Sequence, residues 1–213
     1  MLSQAGAVGG IVLLAFLGLA AANFLHDRGV DESLARFVPA VLGGAAFLVA
    51  AVWLDVWTAV GVSAALSVSL LALRLGWPRL LRGVRGETRR GRAAIAYGLA
   101  GTLGFVVGWG LLGDRWLALV PIAFMAWGDG TAGLVRGLLG AGGERRIWPS
   151  VAMLAVCLAV AALFQPYWVG ALGGVVATAV ERFRPMAAGV WDDNWAIVPA
   201  SLAVMYSAAG IGA

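Results

Sequence analysis

Asp129 is the one charged residue in Phe124-Met125-Ala126-Trp127-Gly128-Asp129-Gly130-Thr131-Ala132-Gly133-Leu134-Val135, a stretch apolar enough to enter a bilayer. A carboxylate at bilayer depth costs about 2.5 to 3.5 kcal/mol on insertion scales, so it belongs against a wet or paired interior. Farther along, Trp191-Asp192-Asp193-Asn194-Trp195 sets three adjacent oxygen donors at the mouth of the last apolar run. Carboxylates and amide carbonyls are hard ligands suited to Mg²⁺, which commonly bridges protein carboxylates to substrate phosphates. Acidic residues there would also serve as helix caps. Between the two clusters, Gly140-Ala141-Gly142-Gly143-Glu144-Arg145-Arg146 reads as a flexible loop ending in two guanidinium forks that fit non-bridging phosphate oxygens. The combined chemistry is metal-assisted phosphate chemistry on a lipid.

On a helix over 116–139, Asp129, Gly133, Arg136, Gly137 and Gly140 fall on one stripe. Bare backbone at the glycines allows close approach by another group. The same Gly133/Gly137 spacing is also a common helix-packing motif, and Arg136 could equally snorkel to the interface. Gly128 and Gly130 predict a break beside the aspartate. Asp129 or Thr131 would then cap a shorter helix, whose free N–H groups favour an anion.

These residues must be positioned by membrane helices. Of 213 residues, 62% are hydrophobic and 12% charged, which excludes an ordinary soluble domain and indicates one integral membrane domain over 1–213. Every basic residue is arginine, and with so few charges the basic balance does not indicate nucleic acid. Cys157 is the only cysteine and His26 the only histidine, which argues against disulfides and against a zinc centre. His26 reads as an interfacial residue. Met1-Leu2-Ser3-Gln4 lacks the positive region of a signal peptide, although Ala20-Ala21-Ala22 imitates a cleavage site, so the first segment reads as a retained anchor.

Apolar runs at 5–25, 34–53, 56–73, 93–112, 116–139, 149–165, 167–180 and 195–212 predict an all-α bundle of seven or eight spans. The short pair around Pro166 could instead be a tilted or re-entrant hairpin. Arg74, Arg79, Arg82, Arg85, Arg89, Arg90 and Arg92 crowd the third connection, Arg145 and Arg146 the fifth, and Arg182 and Arg184 the seventh. By the positive-inside bias, the odd-numbered connections face the cytoplasm and both termini lie outside. The polar stretches 87–92, 129–146 and 181–194 then open to the side where nucleotides are.

At this point the residues resemble a family. Trp127-Gly128-Asp129-Gly130-Thr131-Ala132, continuing through Val135, Gly137 and Gly140, is similar to the G-D-G-x-A…G…G signature of the polyprenol kinases, which include dolichol and phytol kinases and are related to CTP-using phosphatidate cytidylyltransferases. Asp192-Asp193-Asn194-Trp195-Ala196-Ile197-Val198-Pro199 resembles the C-terminal D-D-N-hydrophobic-x-hydrophobic-P element, and Glu87 to Arg92 with Tyr97 resembles the basic loop of phytol-kinase-like members. The likeness spans roughly 34 to 213. It departs at Arg36-Phe37-Val38-Pro39, where the family carries R-K-x-x-H, and in the absence of lysine.

The resemblance implies Mg²⁺-assisted transfer of a phosphoryl group, usually from CTP, to a long-chain isoprenoid alcohol at the cell membrane. It makes Asp129, Asp193 and Asn194 candidate catalytic residues, and Asp129, Asp192 and Asp193 candidate metal ligands. Gly130, Arg136, Gly137, Arg145, Arg146, Ser150 and Arg90 are the candidate nucleotide-binding set. Two other readings stay open. One is a cytidylyltransferase making a CDP-lipid from a lipid phosphate, which needs no general base. The other is a non-enzymatic transporter or scaffold with Asp129 as an ion site. The expected partners are the isoprenoid lipid, a nucleoside triphosphate and membrane lipids, without nucleic acid and with room for a homodimer.

Overall fold

Each apolar run becomes a helix, and the helix ends fall where the sequence supplies caps. The computed structural model of the chain describes residues 3–84, 93–139, 147–183 and 194–211. Helices α1 (Gln4–Asp27), α2 (Glu32–Trp53) and α3 (Val56–Gly76) are followed by a short 3₁₀ segment, Pro78–Val84. Helix α4 (Ala93–Gly104) widens into a π-helical stretch at Phe105–Leu111. Helix α5 (Arg115–Ala123) passes through a second π-helical stretch, Phe124–Asp129, into α6 (Gly130–Leu139). Helices α7 (Trp148–Ala161), α8 (Tyr167–Phe183) and α9 (Asn194–Ile211) complete the bundle, and no strand occurs among the described residues.

Five helical stretches, 4–27, 32–53, 56–76, 94–111 and 115–139, are long and apolar enough to cross a membrane. Helix α7 is apolar but shorter. Leu13, Phe16, Val68, Leu71 and Val175 are exposed on the bundle's outer surface, where a water-soluble protein would place polar residues. Trp53, Trp57, Tyr167 and Trp168 are exposed at one end, and Trp77 and Trp148 at the other. Such aromatic rings sit at the two head-group levels of a bilayer. The chain is built as an integral membrane protein.

The α5–α6 rod is the centre. Every residue from Leu117 to Ala126 is buried, so this helix faces protein on all sides. Phe105, Phe124, Ile122, Met153, Ile197 and Met205 fill the core around it. Gly173 of α8 marks the tightest crossing: a Cβ there would lie 2.6 Å from Met205 of α9 and 3.2 Å from the Phe124 ring. Only a hydrogen leaves room for three helices to meet.

The described helix ends that flank the odd-numbered connections lie together. Arg82, before the third long connection, pairs with Asp27 at the end of α1. Asn23 donates to the Leu80 carbonyl (2.7 Å) and accepts from the Gly83 N–H (2.8 Å). Gly137, near the end of α6, lies against Ser33 and Asp31 at the start of α2. Arg136 pairs with Glu181 near the end of α8. The even-numbered connections gather at the other end, where the Gln4 side chain reaches Asp55 and Gly110 lies 3.7 Å from Val56 and Trp57 as measured from a built Cβ. The described arginines, Arg115 excepted, therefore sit toward a single end of the bundle.

One expectation is corrected. Gly128 and Gly130 do not break the helix; Arg115–Leu139 is a continuous rod. Pro121 has no N–H to donate, and the turns after it widen into π geometry rather than part. Thr131 Oγ1 donates back to the Trp127 carbonyl (2.7 Å), so it is no cap. With no helix terminus at Asp129, the expected row of free N–H groups for an anion is absent there.

Candidate functional site

Most described acids are occupied at helix ends. Asp31 accepts from the Ser33 N–H, Asp55 from Trp57 and Thr58, and Asp114 from Trp116 and Leu117, each capping the helix that follows. Asp27 is paired with Arg82 at the surface. Asp129 and Glu181 differ, because they stand on the inward-facing sides of the central helices.

Asp129 closes the π-helical stretch and is half-buried. Gly128 before it meets α7: a Cβ there would lie 2.7 Å from Cys157 Sγ. Cys157 is buried beside Thr178 of α8 and within electrostatic reach of Asp129. Trp127 turns the other way and donates from Nε1 to the Val41 carbonyl of α2 (3.2 Å), as Tyr97 Oη does to Ala40 (3.2 Å). The two residues before Asp129 thus pack on α2 on one side and on α7 on the other.

Past the aspartate, α6 turns by about 100° per residue. Gly130 and Gly137 share the side that touches α2, at Ala40 and Phe37 and at Ser33 and Asp31 respectively. Ala132 lies nearly opposite and is buried. Asp129, Gly133 and Arg136 occupy the arc between. A Cβ built on Gly133 meets nothing within 4 Å, so that arc fronts open space. Gly133 faces that open space, with Asp129 about 15 Å inside the end of α6 and Arg136 about 10 Å nearer that end, from the helical rise.

The expected stripe is therefore split. Asp129, Gly133 and Arg136 share one arc of α6, while Gly137 is a packing position on α2. Asn194 begins α9 and is buried, with 7% of its surface exposed. It lies on the side of α9 that carries Ile197, Ser201 and Met205 into the core. Gly173 meets Met205, and α8 and α9 run antiparallel, so Asn194 comes within about one turn of Glu181 in height. Ser150 is half-buried in the first turn of α7 at the same end of the bundle. Asp192, Asp193, Arg145, Arg146 and Arg90 lie outside the described residues, and among those described no group of three metal-ligating side chains forms. His26 is exposed at the end of α1.

No family model, no curated protein and no solved structure matches this chain. The site must speak for itself.

Sequence reasoning missed Glu181, which it placed in a polar loop. The residue is in α8, only 2% exposed, and ion-paired to Arg136. A signal was present. Gly170, Gly173, Gly174, Ala177, Thr178 and Glu181 recur at helical spacing, and all are buried. The row of small residues marks the packed face of α8, and it ends in a carboxylate.

A second concavity lies on the outside, between α4 and α9. It measures about 230 Å³ and is lined by Leu103, Gly104, Val107, Val198, Pro199 and Leu202. Its wall is apolar, which suits hydrocarbon.

Proposed function

We propose that the protein is a membrane kinase that phosphorylates a long-chain isoprenoid alcohol from a nucleoside triphosphate, CTP by family resemblance, on the cytoplasmic face of the cell membrane. The observation that carries the reading is one arc of α6: a half-buried carboxylate inside the bundle, open space at Gly133, a guanidinium nearer the helix end, and every described arginine except Arg115 in a connection or terminal turn at that end or, like Arg36 and Arg136, a little inside it. A lipid alcohol reaches a half-buried site from the hydrocarbon, whereas a triphosphate must come from water past cations. Asp129 accepts the proton of the lipid hydroxyl. The freed oxygen bonds to the γ-phosphorus, the bond to the β–γ bridging oxygen breaks, and the nucleoside diphosphate leaves. Arg136, with Arg90, Arg145 and Arg146 from the connections, stabilises phosphate oxygens. Asp129 with Asp192 and Asp193 would hold Mg²⁺, whose contribution is to neutralise charge on those oxygens. Helices α7, α8 and α9 complete eight crossings, and the apolar α4/α9 groove suits the lipid tail.

A second reading has one observation in its favour. The only histidine is exposed on α1, and the element that begins at Arg36 lacks the histidine that ends it in the family. A lipid phosphate attacking the α-phosphorus of CTP, with release of pyrophosphate, would need no such base. One experiment separates the readings: detergent-purified protein with Mg²⁺, CTP or ATP, and a panel of isoprenoid alcohols and lipid phosphates. A phosphorylated alcohol supports the kinase, and a CDP-lipid with pyrophosphate replaces it. No product from any pairing rejects both.

A further inference from the structure

The Arg136–Glu181 pair joins α6 to α8 near the ends of both helices. Its halves differ in environment: the Glu181 side chain is 2% exposed and that of Arg136 32%. A carboxylate enclosed that far requires a cation, because burying it alone is strongly unfavourable. The cation does not need the carboxylate in the same way, since about a third of its surface is reached from outside. A buried ion pair is weak evidence for stability, because apolar residues of similar volume commonly serve as well. An intramembrane charge is more often kept for a task. Here the pair fixes a guanidinium that is a third exposed, on the arc of α6 that also carries Asp129 and the open position at Gly133.

We propose that Glu181 is a positioning residue: from its buried seat on α8 it holds the partly exposed Arg136 guanidinium near the end of α6, where it meets a phosphate approaching from the arginine-rich end. The assignment rests on the phosphate reading above. Guanidinium carries five donors in a fixed fork, so a carboxylate engaged on one edge orients the others. Lysine at 136 would keep the charge and lose the orientation.

The test uses the full-length protein in detergent and inorganic tripolyphosphate as probe, so that no acceptor chemistry is involved. Wild type binds tripolyphosphate. Arg136→Lys and Glu181→Gln each weaken binding about tenfold or more, the scale expected when a binding group is mis-set by an ångström. Glu181→Asp, with its carboxylate withdrawn by one methylene, falls between. Thermal melts establish that each variant is folded. Unchanged affinity in Glu181→Gln, or no binding by wild type, overturns the proposal. So does unfolding of both Glu181 variants, which would make the carboxylate part of the scaffold alone. Where turnover is measurable, Glu181→Gln raises KM for the nucleotide by a larger factor than it lowers kcat. Binding that follows this pattern without turnover on any acceptor removes the kinase reading and leaves Glu181 assigned; turnover with Glu181→Gln binding like wild type does the reverse.

Discussion

The two ends of the bundle use acidic residues differently. At the end away from the arginines, Asp55 and Asp114 sit just before α3 and α5 and spend their oxygens on backbone N–H groups of the first turn. These are structural carboxylates, solvated and local. Toward the arginine-rich end, Asp31 caps α2 in the same manner, but Asp129 and Glu181 stand inside the bundle, away from any helix start. Capping explains the first group fully. It cannot explain the second, so carboxylates of one chemical type divide into scaffold and site by position alone.

The sharpest way to break that division is Asp129→Asn. The amide keeps shape and most hydrogen-bonding capacity while removing charge and basicity. Turnover should fall by about 10² to 10⁴, the range for a general base, with the melting temperature nearly unchanged. An active amide variant would return Asp129 to the scaffold. Next in size come Asp192→Ala and Asp193→Ala. Each should raise the Mg²⁺ concentration needed for activity by about tenfold or more, and the double variant should suppress activity. Arg145→Ala and Arg146→Ala should weaken nucleotide binding instead, with a smaller change in metal requirement. An unchanged metal titration in the double aspartate variant would leave Asp192 and Asp193 as caps of α9.

Much of this architecture is legible in the sequence because burial in lipid demands long apolar runs, and the runs nearly coincide with the helices: 5–25 became Gln4–Asp27, and 56–73 became Val56–Gly76. The arginine asymmetry likewise anticipated which connections share an end. The site was legible only as separate residues. Counting at a uniform turn angle cannot foresee a π-helical stretch at Phe124–Asp129, nor say which neighbour each side of α6 meets. Gly137 and Arg136 are adjacent in sequence, yet one packs on α2 and the other reaches α8. Glu181 was hidden by the habit of assigning charge beside arginine to a loop. Its partner is 45 residues away and is chosen by packing.

The opposite end should respond to substitution as scaffold does. A Cβ on Gly108 would fall 2.7 Å from the Cα and N of Ala118, and backbone of the central helix cannot move aside as a side chain can. Gly108→Ala should therefore lower stability by about 1 to 3 kcal/mol, the usual cost of overpacking. Activity per folded molecule should hold. If turnover collapses while the melting temperature is kept, the two ends are coupled and the division between them fails.

The smallest effect is expected at Asp55, where the comparison can be read through pH. Its carboxyl is held below its ordinary 3.8 first by the Thr58 hydroxyl, then by the Thr58 N–H, with the Trp57 N–H and the Gln4 side chain adding to these. A depressed value in the folded protein means that the charged form stabilises α3. That contribution is complete above the unfolded value and is lost as pH falls through the folded one. Asp55→Asn keeps an oxygen for the cap but cannot titrate. Wild type should melt slightly above the variant near neutral pH, and the gap should close as pH drops below about 4, the ordinary carboxylate range. Asp129→Asn should show no such convergence in its melting temperature, because that carboxylate is not assigned to the scaffold. A gap at Asp55 that stays constant down to acid pH would mean its charge contributes nothing to the cap, and the distinction between scaffold and site carboxylates would then need another basis.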